Sequence, residues 1–108
     1  MNVIMLNPMQ EAVVEEIDGS LEGMQEIVGG RIEAFYPFDD IQAAIIVNEE
    51  GKILGLPSNR LVCKNHCPID ILVGTAFICG CGEEEFCDLT IDQIDTLMPM
   101  IHLGAIHC

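Results

Sequence analysis

The chain has 108 residues, half of them apolar, which is enough to build the core of one domain. It carries 18 Asp and Glu residues against 4 Lys and Arg residues, giving a formal net charge of −14 at pH 7. Binding to the phosphates of nucleic acids or to an anionic membrane requires several Lys or Arg side chains. The composition therefore argues against direct binding to nucleic acid or to membrane.

The sequence contains no recognisable export signal. The N-terminal segment Met1–Pro8 lacks positive charge, and its apolar run is too short for a signal peptide. The longest uncharged stretch, Ile71–Gly82, is well below the ~20 residues that a membrane-spanning helix needs. We therefore expect a cytoplasmic protein whose six cysteines are reduced thiols.

The first half of the chain reads as strand, strand, helix, strand, strand. Val3–Leu6 and Glu11–Ile17 are predicted to form a hairpin around Pro8. Ser20 is a suitable N-cap for a helix that Gly29 should end. The apolar residues at helical spacing are Leu21, Met24, Ile27 and Val28. The next predicted strands are Arg31–Phe35 and Gln42–Asn48.

The second half predicts a returning strand and one long buried strand. Lys52–Leu54 is predicted to begin the returning strand, and Pro57–Arg60 to be irregular. Cys63–Pro68 is predicted to be a loop. Ile71–Cys79 is apolar enough for a strand covered on both faces. Glu83–Glu85 should lie in an exposed loop.

A second helix is predicted near the C-terminus. Thr90 and Gln93 have the spacing of a capping box, and Pro99 should kink or shorten the helix. Its apolar face comprises Ile91, Ile94, Leu97, Met98 and Ile101. The tail that carries His102, His107 and Cys108 is predicted to be frayed. Together these elements predict a single α+β domain over residues 1–108, with a mostly antiparallel sheet and two helices.

Several segments, in order, resemble the domain-of-unknown-function 3846 family. The two that carry the core of the resemblance are Asn48–Lys52 and Gly55–Arg60. The others are Ile17–Leu21, Gln25–Gly30, Tyr36–Asp40, Gly74–Ile78 and Phe86–Thr90. The resemblance implies a small protein of a bacterium, phage or mobile element, without an assigned biochemical activity. It also implies one self-contained domain.

The cysteines and one histidine form a candidate zinc site, in segments where the chain departs from that family. The candidate ligands are Cys63, His66, Cys67, Cys79 and Cys81. Their spacing is irregular, and a Cys-x2-Cys pair is absent. Free thiols and a disulfide such as Cys63–Cys79 are the alternatives. A zinc-stabilised adaptor is accordingly one hypothesis for the function.

Arg60 is notable because cations are rare in this chain. A guanidinium can hold a carboxylate or phosphate with two hydrogen bonds, so Arg60 and Asn59 are candidates for an anion or nucleotide pocket. A small-ligand binder, such as a nucleotide sponge, is therefore a second hypothesis. The structural alternative pairs Arg60 with Asp39 or Asp40 to fix the turn.

The acidic residues give the leading hypothesis. The candidates are Glu83, Glu84, Glu85, Asp88, Asp92 and Asp95. Asp88, Asp92 and Asp95 would share one stripe of a slightly extended helix. Such a surface could bind a basic protein, and could occupy a DNA-binding cleft in place of DNA. Solubility is the alternative explanation.

The sequence offers no convincing catalytic arrangement. Cys63 and His66 are neighbours on one predicted loop without a third orienting group, and phosphate-binding or protease motifs are absent from the sequence. We therefore predict a non-enzymatic interaction protein of a phage or mobile element. Its partner would be basic, a host nuclease or defence protein in the DNA-mimic version. Apolar strand edges also allow a homo-oligomer.

Overall fold

The computed structural model describes residues 1–107, in which it places nine strands and two helices. The strands are β1 (Asn2–Leu6), β2 (Val13–Glu16), β3 (Ile32–Phe35), β4 (Ala43–Asn48), β5 (Ser58–Lys64), β6 (Cys67–Val73), β7 (Ala76–Cys81), β8 (Phe86–Cys87) and β9 (Ala105–Ile106). The helices are α1 (Leu21–Val28) and α2 (Ile91–Leu97), and a 3-10 turn (Met98–Met100) follows α2. The predicted α+β class with two helices is confirmed.

The larger sheet, sheet A, is antiparallel throughout. Its strand order is β2-β1-β7-β4-β3, and β8 pairs with the C-terminal end of β7. Ile78 of β7 lies between Ile4 of β1 and Ile45 of β4. These three residues are fully buried, because both faces of the central strands are covered.

The smaller sheet, sheet B, has the order β6-β5-β9, with β9 parallel to β5. One apolar core joins sheet A to sheet B and α2, and includes Ile45, Val62 and Leu97. A second core joins the other face of sheet A to α1, and includes Phe77 and Met24. The domain is therefore layered as α1, sheet A, then sheet B with α2. Among the residues described, no helix has the length and apolar character needed to cross a bilayer.

Both helices begin where the sequence predicts. Ser20 Oγ accepts a hydrogen bond from the Gly23 amide, and Gly29 ends α1 with a φ of 83°. The capping box of α2 is formed, since Gln93 N donates to Thr90 Oγ1 and Thr90 N donates to Gln93 Oε1. Pro99 shortens this helix, which continues only as the 3-10 turn.

Three secondary-structure predictions in the middle of the chain are wrong. Residues 50–55 form turns, so Lys52–Leu54 does not begin a strand. Ser58–Lys64, which includes all of the segment predicted to be irregular except Pro57, is instead the central strand of sheet B. The long apolar run divides at Gly74, whose φ of 72° ends β6 before β7 begins. Apolar content indicated burial here but not the position of the turn.

The segment Cys63–Pro68 is a tight hairpin rather than a loop. Lys64 pairs with Cys67, and the turn residues Asn65 and His66 have φ values of 52° and 64°. Positive φ at both central positions is typical of a two-residue type I′ turn. The lengths of strands β5 and β6 therefore bring this hairpin tip, with Lys64, to the region where α2 begins.

The C-terminal segment is ordered into the fold, contrary to the prediction. Ile106 of β9 is fully buried and pairs with Val62, and the His102 carbonyl accepts a hydrogen bond from Arg60 Nε at 2.8 Å. Cys108, the last residue of the predicted frayed tail, lies outside the described residues. The segment before Cys108 is ordered because β9 pairs with the side of β5 that faces away from β6, and so provides hydrogen-bond partners for the β5 backbone.

Candidate functional site

One end of sheet A carries the largest cavities described. At this end β3 ends, β4 begins, and β7 and β8 are joined by a short hairpin tip. The connection Tyr36–Gln42 crosses the end of the sheet, and the tip Gly82–Glu85 lies beside it. Gln93 of α2 donates from Nε2 to the Gln42 carbonyl at 3.3 Å, which positions α2 against the same connection.

The largest of these cavities, here called the Phe38 cavity, has a volume of about 660 Å³. Its apolar lining comes from Pro37, Phe38, Ile41 and Met100. Its polar lining comes from Asp39, Asp40, Gln42, Lys64, Asn65, Asp92, Gln93, Thr96 and His107. The volume and the mixed lining fit a site for a small ligand or for side chains of a partner.

Two further cavities continue around the same end of sheet A. A cavity of about 280 Å³ shares Phe38, Ile41 and Gln42 with the Phe38 cavity. It also shares Tyr36 and Glu83 with a cavity of about 430 Å³. The 430 Å³ cavity is bordered by the hairpin tip Glu83–Glu85 and by α1. We refer to the three adjoining cavities together as the acidic groove.

Little positive charge faces the acidic groove. Lys64 Nζ is 2.7 Å from Asp39 Oδ1, and the second ion pair of residues 1–107 joins Lys52 to Asp70 at 2.6 Å, away from the groove. Arg60 is buried, and Arg31 is exposed without an ion pair in the described structure. The groove carboxylates with no ion pair in that part of the chain are Asp40, Glu83, Glu84, Glu85 and Asp92.

The structure divides the predicted acidic stripe. Glu83–Glu85 and Asp92 line the groove. Asp88 precedes α2 and is therefore not on the helix. Its carboxylate accepts a hydrogen bond from the backbone N–H of Asn2 at 2.6 Å. Asp95 is exposed on α2 but lines none of the described cavities. The prediction of a single helical stripe is therefore wrong, because Thr90 starts the helix after Asp88.

Arg60 and Asn59 are internal rather than open to a ligand. Arg60 is 1% exposed and donates to the carbonyls of Asn7, Gln10 and His102. Asn59 donates to the carbonyls of Leu6 and Gly74. A ligand would have to displace these hydrogen bonds. The predicted pairing of Arg60 with a carboxylate is also incorrect, since Asp39 pairs with Lys64 instead.

The five predicted zinc ligands are not brought together. His66 and Cys67 are exposed at the β5–β6 hairpin, whereas Cys79 is buried in the core beneath α1. Cys81 is half-buried against that core. No group of three or more His, Cys, Asp or Glu side chains in residues 1–107 is arranged to hold a metal ion. The sequence spacing suggested proximity that the separation into two sheets prevents.

The expectation that all six cysteines are reduced thiols is wrong, because the structure contains both free thiols and a disulfide-bonded cysteine. Cys63 is disulfide-bonded, but Cys79 is free, so the predicted Cys63–Cys79 bond does not form. The free thiols in the described part of the chain are Cys67, Cys79, Cys81 and Cys87. Burial, together with the smaller effects of nearby Cys81 and Cys87, raises the pKa of the Cys79 thiol to about 12. Burial and then Cys87 raise the pKa of Cys81, so neither thiol is an activated nucleophile.

Sequence reasoning did not recognise the Tyr36–Gln42 connection as part of a site. Tyr36 is 61% exposed at the groove, and Phe38 is half-buried in it. The available signal was two aromatic residues next to two aspartates in a proline-containing connection. Sequence reasoning considered Asp39 and Asp40 only as possible partners of Arg60, and it did not account for the exposed ring of Tyr36.

The comparisons with known proteins identify the family. No curated protein and no solved structure matches the chain. The model of one family, a domain of unknown function (DUF3846), matches residues 1–102. The match extends from β1 through α2 and the 3-10 turn. It therefore includes every residue that lines the acidic groove except His107. The chain belongs to the DUF3846 family.

Proposed function

We propose that this protein is a non-enzymatic interaction domain that binds a basic protein through the acidic groove. The observation that carries the proposal is the groove itself. Five carboxylates without an ion pair in residues 1–107 surround cavities that also contain an exposed tyrosine. The surface thus combines negative charge with apolar area for contact.

The two features have different physical effects on binding. Uncompensated carboxylates attract a basic surface and orient it before contact, which mainly raises the association rate. Aromatic and apolar groups contribute most of the binding energy once water is excluded. Tyr36 and Phe38 lie between the carboxylates of the hairpin tip and those near α2. A partner that spans the groove would use both effects.

A more specific version of the proposal is that the protein is a DNA mimic of a phage or mobile element. The net charge of −14 and the spread of acidic side chains along the groove support it. The basic partner would then be a host nuclease or defence protein, and the acidic groove would occupy the surface that normally binds DNA phosphates. This version predicts that duplex DNA and the protein compete for the partner.

The experiment compares two variants of equal net charge. The groove variant carries Glu83→Gln, Glu84→Gln, Glu85→Gln and Asp92→Asn. The control variant carries Glu15→Gln, Glu16→Gln, Glu22→Gln and Glu26→Gln, which are all exposed outside the groove. Each immobilised protein is incubated with nuclease-treated bacterial lysate at low salt, and bound proteins are eluted with rising salt and identified.

We expect a basic protein that binds the wild type and the control variant but not the groove variant, and that elutes with moderate salt. Retention by the groove variant would contradict the use of this groove. Equal loss from both variants would show that only net charge matters, and would also contradict the proposal. For the DNA-mimic form, the captured protein is purified and tested for release by duplex DNA.

A further inference from the structure

The Phe38 cavity has a composition suited to one particular kind of side chain. Its apolar part includes an aromatic ring, Phe38, together with Ile41 and Met100. Carboxylates lie at its border on two separate elements, Asp40 on the connection and Asp92 on α2. A ligand that fits has a flat or extended apolar stem and a positive end.

The charges of this cavity are only partly compensated from within. Lys64 is held by Asp39, since Nζ and Oδ1 are 2.7 Å apart. Asp40 and Asp92 form no ion pair in the described part of the chain. The cavity lining therefore contains three carboxylates against one lysine, and a further positive charge would be favourable beside Asp40 and Asp92.

The groove also indicates that the ligand is part of a longer chain. The Phe38 cavity continues past Gln42 through the cavity of about 280 Å³, which reaches Glu83, and then into the cavity of about 430 Å³, which is lined by Glu83–Glu85. An isolated small cation would leave this continuation empty. An extended polypeptide segment can place one side chain in the Phe38 cavity and further positive charge at the hairpin tip.

We propose that the Phe38 cavity receives an arginine side chain from an extended basic segment of the partner. This inference rests on the proposed function and adds the chemical identity of the inserted group. A guanidinium is planar, sheds water more easily than an ammonium group, and stacks on aromatic rings. It can also donate to carboxylates on two sides of the cavity, because its five N–H groups point in different directions.

The test uses a short, capped, fluorescein-labelled peptide of glycine and serine with two arginines. Versions with two lysines or two citrullines have the same length, and citrulline removes the charge while keeping the shape. Binding at low salt is followed by fluorescence anisotropy for the wild type and for the variant Asp40→Asn with Asp92→Asn. The matched control is Glu50→Gln with Asp95→Asn, two exposed residues outside the Phe38 cavity.

We expect the arginine peptide to bind more tightly than the lysine peptide, and the citrulline peptide not to bind. The Asp40/Asp92 variant should weaken arginine-peptide binding about tenfold, because both carboxylates line the Phe38 cavity. The control should weaken it about twofold or less, because Glu50 and Asp95 lie outside the cavity and change only the net charge. Amide spectra of both variants confirm that they remain folded.

Other results would overturn the inference. Equal weakening by both variants, or equal binding of the lysine peptide, would exclude an arginine site. Displacement of the arginine peptide by spermidine at equal charge concentration would point to a small cation instead. The proposed function is tested separately, by capture of a basic protein from lysate. A captured protein whose binding depends on Glu83–Glu85 would support the proposed function even if Asp40 and Asp92 had no effect on peptide binding.

Discussion

The guanidinium of Arg60 donates from Nη1 to Oδ1 of Asn59 at 2.8 Å, and both side chains are buried. Arg60 also donates from Nη1 and Nη2 to carbonyls of the connection after β1, and from Nε to the segment before β9. Asn59 in turn donates to carbonyls at the end of β1 and before β7. This pair of adjacent residues therefore joins sheet A, sheet B and the C-terminal segment by hydrogen bonds.

We expect Arg60→Met to lower the free energy of unfolding by about 3 kcal/mol or more, because several buried acceptors would lose their donor. Arg60→Lys should recover only part of this loss, since an ammonium group cannot reach the same acceptors in different directions. Urea unfolding followed by circular dichroism measures both. Arg31→Met is the control, with an expected change below about 0.5 kcal/mol. A similar loss of stability for Arg31→Met would show that the effect does not come from the buried hydrogen bonds of Arg60.

Gly80 allows β8 to lie close to β7. A Cβ added at Gly80 would be 2.5 Å from the Asp88 carbonyl oxygen and 3.0 Å from Cys87 Sγ. We expect Gly80→Ala to destabilise the domain by about 1–3 kcal/mol, since the backbone of the next strand must move. Thermal unfolding measures the change. Gly104→Ala is the matched control, because its added Cβ has open space around it, with no atom within 4 Å beyond its own residue and its chain neighbours. A comparable loss of stability there would contradict the steric explanation.

The capping box holds the helix that carries Asp92. We expect Thr90→Ala to cost about 1 kcal/mol of folding stability, because the backbone N–H of Gln93 loses its acceptor at the start of a seven-residue helix. Thr90→Ser should be close to wild type, since it keeps the hydroxyl. Hydrogen exchange of the α2 amides provides the local measurement. Unchanged exchange in Thr90→Ala would show that tertiary packing alone fixes this helix end.

The buried thiol of Cys79 predicts a dependence of stability on alkaline pH. Burial raises the pKa of this thiol to about 12 in the folded protein from an ordinary value of 9.0. The unfolded state therefore loses the proton first as pH rises above about 9, and stability falls towards pH 12. The slope contributed by one such group is at most about 1.4 kcal/mol per pH unit.

This contribution is isolated by comparison with Cys79→Ala. The free energy of unfolding of the Cys79→Ala variant should fall less steeply than that of the wild type between pH 9 and the highest pH at which both proteins fold. The same chemistry predicts that iodoacetamide modifies exposed Cys67 and Cys87 in the native protein, and Cys79 only after unfolding. Parallel slopes, or rapid native labelling of Cys79, would disagree with its burial.

Local sequence patterns predicted the elements whose causes are local. Ser20 and Gly29 bound α1, and Thr90, Gln93 and Pro99 bound α2, because capping and proline effects act within a few residues. The central strand β4 was predicted from its continuous apolar run, since a strand buried on both faces leaves no polar positions. The same composition-based reasoning gave the acidic character of the surface.

The tertiary structure decided which distant residues meet. Asn59 and Arg60 were predicted to lie in an irregular turn, but they are buried in a strand because β5 lies between β6 and β9 in the interior of the fold. The cysteines separated onto different sheets, and Asp92 joined Glu83–Glu85 in one groove. The sequence by itself determined charge, capping and burial of single segments, which depend on neighbours along the chain. The groove depended on strand order, which follows from packing between segments far apart in sequence.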